Sequence, residues 1–157
     1  MTTGVQQLMR EVEQVRDAFQ TAVFCAADLD GALAVMSPDC ALVNLPMGTG
    51  ASGLQDLRRY LAEDVLPHLP ADLGFTRTSR TVDRWRVAEE GTVAFTHDRE
   101  LPWLLPGTEP SRRRAQVLTV SVVTVHRAKI TSHRTLWDLA GLLSQLQLDP
   151  AGAGRRG

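Results

Sequence analysis

Hydrophobic periodicity changes character once along this chain, at Pro70, and that change restricts the architecture more than any other feature. Before it, Val5, Leu8, Val12, Val15, Phe19, Ala22 and Val23 recur every three or four positions, predicting a helix over residues 5–27. A second short helix is expected over 28–36, with Asp28 or Asp30 as N-cap and Ser37-Pro38 as its stop. Residues 40–45 read as a short strand ended by Pro46, and 47–53 as a flexible Gly-rich loop. A third helix is predicted over 54–66, with Leu54, Leu57, Leu61 and Val65 on one face. After Pro70 the pattern is β: strands at 75–87, 92–105, 114–127 and 130–137, with Glu89-Glu90-Gly91 as a turn and Ala128-Lys129 as another. The third of these is the most apolar and is expected to be central. A closing helix is expected to run to Leu148. Short turns join antiparallel neighbours, and helices segregated from strands argue for an α+β fold with helices packed on one sheet face.

A chain of 157 residues suits one domain, here 1–148, which buries roughly 70% of its unfolded surface. The tail 149–157 is Gly-, Ala- and Arg-rich and is expected to be disordered. The formal net charge of -1 gives no electrostatic case for nucleic acid or an anionic membrane, and Arg112-Arg113-Arg114 reads as a solvated turn. No apolar run approaches the ~20 residues a membrane span needs, and residues 1–20 show no signal-peptide pattern. Cys25 and Cys40 lack metal spacing and read as reduced, buried thiols of a cytoplasmic protein.

Asp138 is the first candidate for chemistry. It stands between Trp137 and Leu139 where a strand becomes a helix, and desolvation there makes a carboxyl a proton-transfer candidate. The same position suits a helix N-cap. His97 and Asp98 follow; alternation puts them on opposite sheet faces, and His97 shares its side with Val93 and Phe95, the expected inner face. Asp98 then reads as a surface or dimer-face charge unless a bulge turns it inward. His133 alternates with Thr135 and Trp137, and Arg134 with Leu136 and Asp138, so Arg134 could bind an enolate or carboxylate beside Asp138. His126 and His133 lack a third ligand spaced for zinc, so no metal site is expected from them. Trp103 and Trp137 are expected as apolar pocket wall and Asn44 as a polar donor from the first strand.

Several segments together resemble the SnoaL-like branch of the nuclear transport factor 2-like superfamily. They are Gly48 to Gly53 before a helix, His97-Asp98, Pro102-Trp103-Leu104-Leu105-Pro106-Gly107 with Pro110, and Lys129-Ile130 followed by Trp137-Asp138, Ala140, Leu143 and Gln145-Leu146. The resemblance implies a cone-shaped, curved antiparallel sheet covered by N-terminal helices, with a deep pocket and often a homodimer. It implies that Asp138 sits where SnoaL-like cyclases place their general acid/base. The chain departs from the pattern at Leu136 and Leu139, where relatives tend to carry Tyr and Gln, and at His133, where a Glu is common. The expected function is cofactor-independent acid–base chemistry, cyclisation or isomerisation, on a bulky apolar polyketide- or terpenoid-like intermediate. Asp138 would move the proton and His97 would assist. Epoxide opening is the rival, although the Asp–Arg–Asp set of limonene-epoxide-hydrolase-like relatives is absent from the strand carrying Arg99 and Leu101. Ketosteroid-isomerase-like chemistry would want a Tyr donor, and the one tyrosine, Tyr60, falls on a helix. The same fold could also serve as a non-catalytic module that binds a small molecule, or as a structural dimer module.

Overall fold

The computed structural model describes residues 2–148, and the expected tail lies outside the described residues. Helix α1 (Thr2–Phe24) buries Val12, Val15, Phe19, Ala22 and Val23 along the predicted stripe, while Val5 and Leu8 near its start stay exposed. Helix α2 (Leu29–Ala34) is capped by Asp28, whose carboxylate accepts the Gly31 N–H at 2.9 Å. Strand β1 (Met36–Leu45) begins earlier than expected and carries Pro38 within it. The segment read as a flexible loop instead forms β2 (Thr49–Ser52), paired antiparallel with β1. Gly50 permits that approach: it holds φ +142°, and a Cβ there would lie 1.9 Å from the Leu42 carbonyl oxygen. Helix α3 (Leu54–Arg59) continues through a π-helical turn, Tyr60–Val65, that buries Tyr60, Leu61 and Val65 together.

The six strands form one curved sheet in the order β2-β1-β6-β5-β4-β3. Strands β3 (Gly74–Val82), β4 (Arg86–Thr96), β5 (Arg114–His126) and β6 (Lys129–Trp137) make an antiparallel meander, with β5 interior as its composition predicted. The sheet is mixed rather than purely antiparallel, because β1 lies parallel to β6. Helix α4 (Leu139–Gln145) closes the fold. Among the described residues no helix is long and apolar enough to cross a membrane.

Two sequence boundaries shift for identifiable reasons. The turn expected at Glu89-Glu90-Gly91 lies inside β4, and the chain reverses at Asp83, whose carboxylate accepts the N–H groups of Trp85 and Arg86, each at 2.7 Å. The strand expected over 92–105 stops at Thr96, and residues 97–113 leave the sheet as a loop that buries Leu101, Trp103, Leu104 and Leu105. Cys40 is buried, and burial pushes its thiol up to about 11; Cys25, expected inside, is exposed.

A bulge sets the inner face of β3. Arg77 pairs with Gly91 but Ser79 pairs with Glu90, so Thr78 is the extra residue. Parity therefore switches along β3: Phe75 and Arg77 share the inward side before the bulge, and Arg80 and Val82 share it afterwards. Gly91 sits opposite, where a Cβ would meet the Thr76 carbonyl oxygen at 2.5 Å. Gly91→Ala should therefore destabilise the protein by about 1–3 kcal/mol through forced overpacking. Urea denaturation measures this, and an unchanged midpoint would contradict the close approach.

Candidate functional site

Helix α1, the α3 turn and the 97–113 loop cover the inner face of the sheet and enclose a cavity of about 270 Å³. Its wall is largely apolar, with Phe19, Phe24, Leu61, Val93, Phe95 and Val117 among the contributors. Across its floor runs one row of hydrogen-bonding side chains, produced by strand register. Asn44 on β1 is the cross-strand partner of Thr135 on β6, Thr135 of Ser121 on β5, Ser121 of Glu89 on β4, and Glu89 of Arg80 on β3. All five line the cavity. Neighbours in such a row stand roughly 4.8 Å apart. The rows on either side are mostly apolar: Leu42, His133, Val123 and Val87 below; Trp137, Thr119 and Gly91 above.

One end of the row is ionic. Arg80 Nε donates to Glu89 Oε2 at 3.1 Å, and Arg80 Nη1 donates to Asp17 Oδ2 at 3.2 Å and Glu13 Oε1 at 3.4 Å. Arg16, on the buried stripe of α1, brings its Nε to 3.6 Å from the same Glu89 oxygen and donates through Nη1 to Gln20. Side-chain exposure is only 8% for Arg16, 12% for Arg80 and 14% for Glu89, so the centre of the cluster is largely buried, while Glu13 and Asp17 at its rim are 34% and 55% exposed. The hydrogen bonds to Asp17 and Glu89 raise the Arg80 pKa, the bond from Arg80 lowers that of Asp17, and desolvation lowers that of Arg16. Removing one member of a buried pair leaves an uncompensated charge, at about 3–5 kcal/mol.

The other end is neutral. Asn44 Nδ2 donates to the Tyr60 hydroxyl at 2.9 Å and, at 3.3 Å, to the Trp103 carbonyl, which also accepts from Thr49 Oγ1 at 2.6 Å. Burial pushes the Tyr60 phenol up to about 12, so the hydroxyl that accepts from Asn44 stays neutral. His133 lies against Phe19, ring centroids 5.0 Å apart, with neither ring nitrogen partnered among the described residues. Desolvation first, and the Arg16 charge second, depress its pKa to about 3.

The structure gathers four of the sequence-predicted residues, Asn44, Trp103, Trp137 and His133, around the cavity. It places the other four elsewhere. Asp138 follows the outward-facing Leu136 and Arg134, is exposed, and caps α4 by accepting the Gly141 N–H at 3.0 Å. Its N-cap role is the one the geometry shows; it does not line the cavity. Arg134 is exposed on the outer face and does not line the cavity. Asp98 is outside the cavity and held by Arg99 Nε at 2.8 Å. His97 keeps the inward parity of Val93 and Phe95 but is fully buried beyond the cavity, at the base of the 97–113 loop. Sequence reading passed over Arg16, Arg80 and Glu89. The available signal was Arg16 itself, a charge on the apolar stripe between Val12 and Phe19. Among the described residues no three His, Cys, Asp or Glu side chains come together as a metal site.

A family model for the SnoaL-like domain matches residues 12–133. No curated protein matches the chain. Among solved structures, a SnoaL-like polyketide cyclase candidate from Shewanella putrefaciens is similar with a TM-score of 0.70 at 16% identity, covering 88% of this chain and 86% of that one. An LEH-like epoxide hydrolase from M. tuberculosis gives 0.61 at 20% identity, covering 92% of each chain. An NTF2-like protein from Burkholderia xenovorans gives 0.61 at 18% identity, covering 88% of this chain and 97% of that one. At these identities the likeness is one of fold.

The state of His133 has a measurable consequence. The folded protein keeps the ring neutral down to about pH 3, whereas the unfolded chain takes up a proton below roughly 6.5. Its contribution to stability is complete above the unfolded value and falls with pH below it, by up to roughly 1.4 kcal/mol per pH unit. Between pH 7 and 4.5, wild type should lose about 2–3 kcal/mol more stability than His133→Phe. Urea titrations at the two pH values compare them, and parallel losses would place His133 in a wetter setting.

Proposed function

The chain belongs to the SnoaL-like domain family, and we propose that its cavity performs cofactor-independent acid–base chemistry, a cyclisation or isomerisation, on an apolar carbonyl-bearing metabolite of polyketide or terpenoid type. The observation that carries this reading is the hydrogen-bonding row in an otherwise apolar cavity, with one buried carboxylate, Glu89, beside the Ser121 hydroxyl. Glu89 takes the role that the sequence suggested for Asp138, accepting a proton α to the carbonyl. Ser121 and Arg16 hold the developing enolate oxygen, and the Tyr60–Asn44 pair orients the far end of the substrate. The cavity volume lies just below the usual range for small-molecule sites, which favours a compact one- or two-ring substrate over a large polycycle.

Epoxide opening is a second reading with its own support. Arg80 bridges Asp17 and Glu89, a carboxylate–guanidinium–carboxylate set assembled from α1, β3 and β4 rather than from one strand. In that reading one carboxylate activates water and Arg80 positions both. The protein also acts as a homodimer in this proposal: Leu118, Val120 and Leu136 stand exposed together on the outer face of β5 and β6, where a second copy would cover them. Sedimentation of Leu136→Asp as a monomer, against a wild-type dimer, is the expected outcome.

The test of the chemistry uses 2-decalone in deuterated buffer and limonene oxide in parallel, each with wild type, Glu89→Gln and Asp138→Asn. Acid–base catalysis predicts deuterium entering α to the decalone carbonyl at least tenfold faster than in buffer. That gain should vanish in Glu89→Gln and persist in Asp138→Asn. Diol formation from limonene oxide alone would select the epoxide reading. Exchange as fast in Glu89→Gln as in wild type would overturn the role given to Glu89.

A further inference from the structure

The 97–113 loop is a plug built on a narrow neck. Strands β4 and β5 end their ladder at Thr96 and Arg114. Just beyond, His97 N–H donates to the Arg113 carbonyl and Arg112 N–H donates to the His97 carbonyl, both at 2.9 Å. Arg112 holds φ +66°, an uncommon conformation for a residue with a side chain. From the neck the chain dives back to the cavity. Leu101, Leu104 and Leu105 are buried, a bridge joins Leu101 to Leu105, and Trp103 with Leu104 forms part of the cavity wall. At its far side the loop is tied by the bonds from Thr49 and Asn44 to the Trp103 carbonyl.

The His97 side chain holds the neck from inside. Its ring is fully buried, and Nδ1 accepts the Ser111 backbone N–H at 3.1 Å. The Ser111 hydroxyl also lies 3.0 Å from Nδ1 and accepts the Arg113 N–H at 3.3 Å. One imidazole nitrogen thus organises Ser111 to Arg113, the segment where the loop re-enters the sheet. An Nδ1 that accepts from a backbone N–H carries no proton, so the proton of the ring is on Nε2. Burial works in the same direction by disfavouring the charged ring, against the opposing pull of Asp98.

We infer that His97 is a positioning residue, whose Nδ1 latches the neck of the 97–113 loop and so holds Trp103 and Leu104 in the cavity wall. The role differs from the proton-transfer role suggested by its sequence position, because the ring is out of reach of the cavity and acts through Trp103. Such a latch needs only that the cavity takes a ligand, and it stands apart from the chemistry proposed there. An acceptor at the Nδ1 position, rather than an aromatic ring, is then what the neck requires.

Hydrogen–deuterium exchange of the full chain, read by mass spectrometry on peptides from the loop and from β5 and β6, tests this without any ligand. His97→Phe keeps a ring and removes the acceptor; His97→Asn places a carbonyl oxygen where Nδ1 was. Loop amides between 98 and 111 should exchange about tenfold faster in His97→Phe, with β5 and β6 unchanged, and return near the wild-type rate in His97→Asn. Loop exchange unchanged in His97→Phe overturns the latch. Equal acceleration in the loop and in β5 and β6 reduces His97 to core packing and overturns it as well. An Asn variant as fast as the Phe variant shows that the acceptor is not what matters.

Discussion

Glu89 sits where α1, β3 and β4 meet, between Arg16 and Arg80, and the placement of all three elements follows from that contact. Guanidinium and carboxylate groups are costly to bury, and they stay buried here because each faces an opposite charge. Arg16 must therefore point down from α1 onto β4, which fixes the rotation of the helix about its own axis. With that rotation set, Phe19, three residues on, lies over His133, and Phe24 reaches Phe75 at 4.8 Å between ring centroids. Arg80 must likewise face inward, which it does only because the Thr78 bulge reverses the parity of β3. Helix, bulge and carboxylate form one arrangement, and the cavity is the space left between them and the rest of the sheet.

The sequence revealed the elements more clearly than their faces. The stripe on α1 from Val12 to Val23 and the apolar run of β5 are strong periodic signals; the stripe became buried surface as read, whereas β5 is interior to the sheet but buries only one of its faces, leaving Leu118 and Val120 exposed. The alternation along β6, which separates His133, Thr135 and Trp137 from Arg134, Leu136 and Asp138, also held. What periodicity could not show was the extra residue in β3, since one inserted position flips every side chain after it. Nor could it show that the acid pair before Gly91 stays in the strand. Glu-Glu-Gly has the composition of a turn, but Gly91 is there to let the bulged backbone opposite come close, while Asp83 makes the reversal.

Candidate site residues divide along the same line. Those expected as pocket wall or polar lining, Asn44, His133, Trp103 and Trp137, do surround the cavity. Asp138 was chosen for its apolar flanks, yet Trp137 and Leu139 turn away from it and leave the carboxylate in solvent as a cap. His97 has the right parity but the wrong height, because β4 ends at Thr96 and His97 lies beyond the cavity at the base of the 97–113 loop. Composition identifies residues capable of chemistry; which of them meet is decided by register across five strands, and register depends on pairings between segments far apart in the chain.

The parallel pairing of β1 with β6 has a consequence for the order in which the molecule can assemble. Met36 meets Ile130, and Leu45 meets Leu136, so the contact joins segments far apart in the chain, of which β1 leaves the ribosome well before β6. Until β6 arrives, β1 has only the short β2 to pair with, and Asn44 has no neighbour on its other side. The β3–β5 meander, by contrast, consists of sequence-local hairpins and can form as soon as it is made. Such a chain is expected to build its sheet from the meander outward and to add its earliest strand last. The cavity floor then becomes continuous only in the final step of folding.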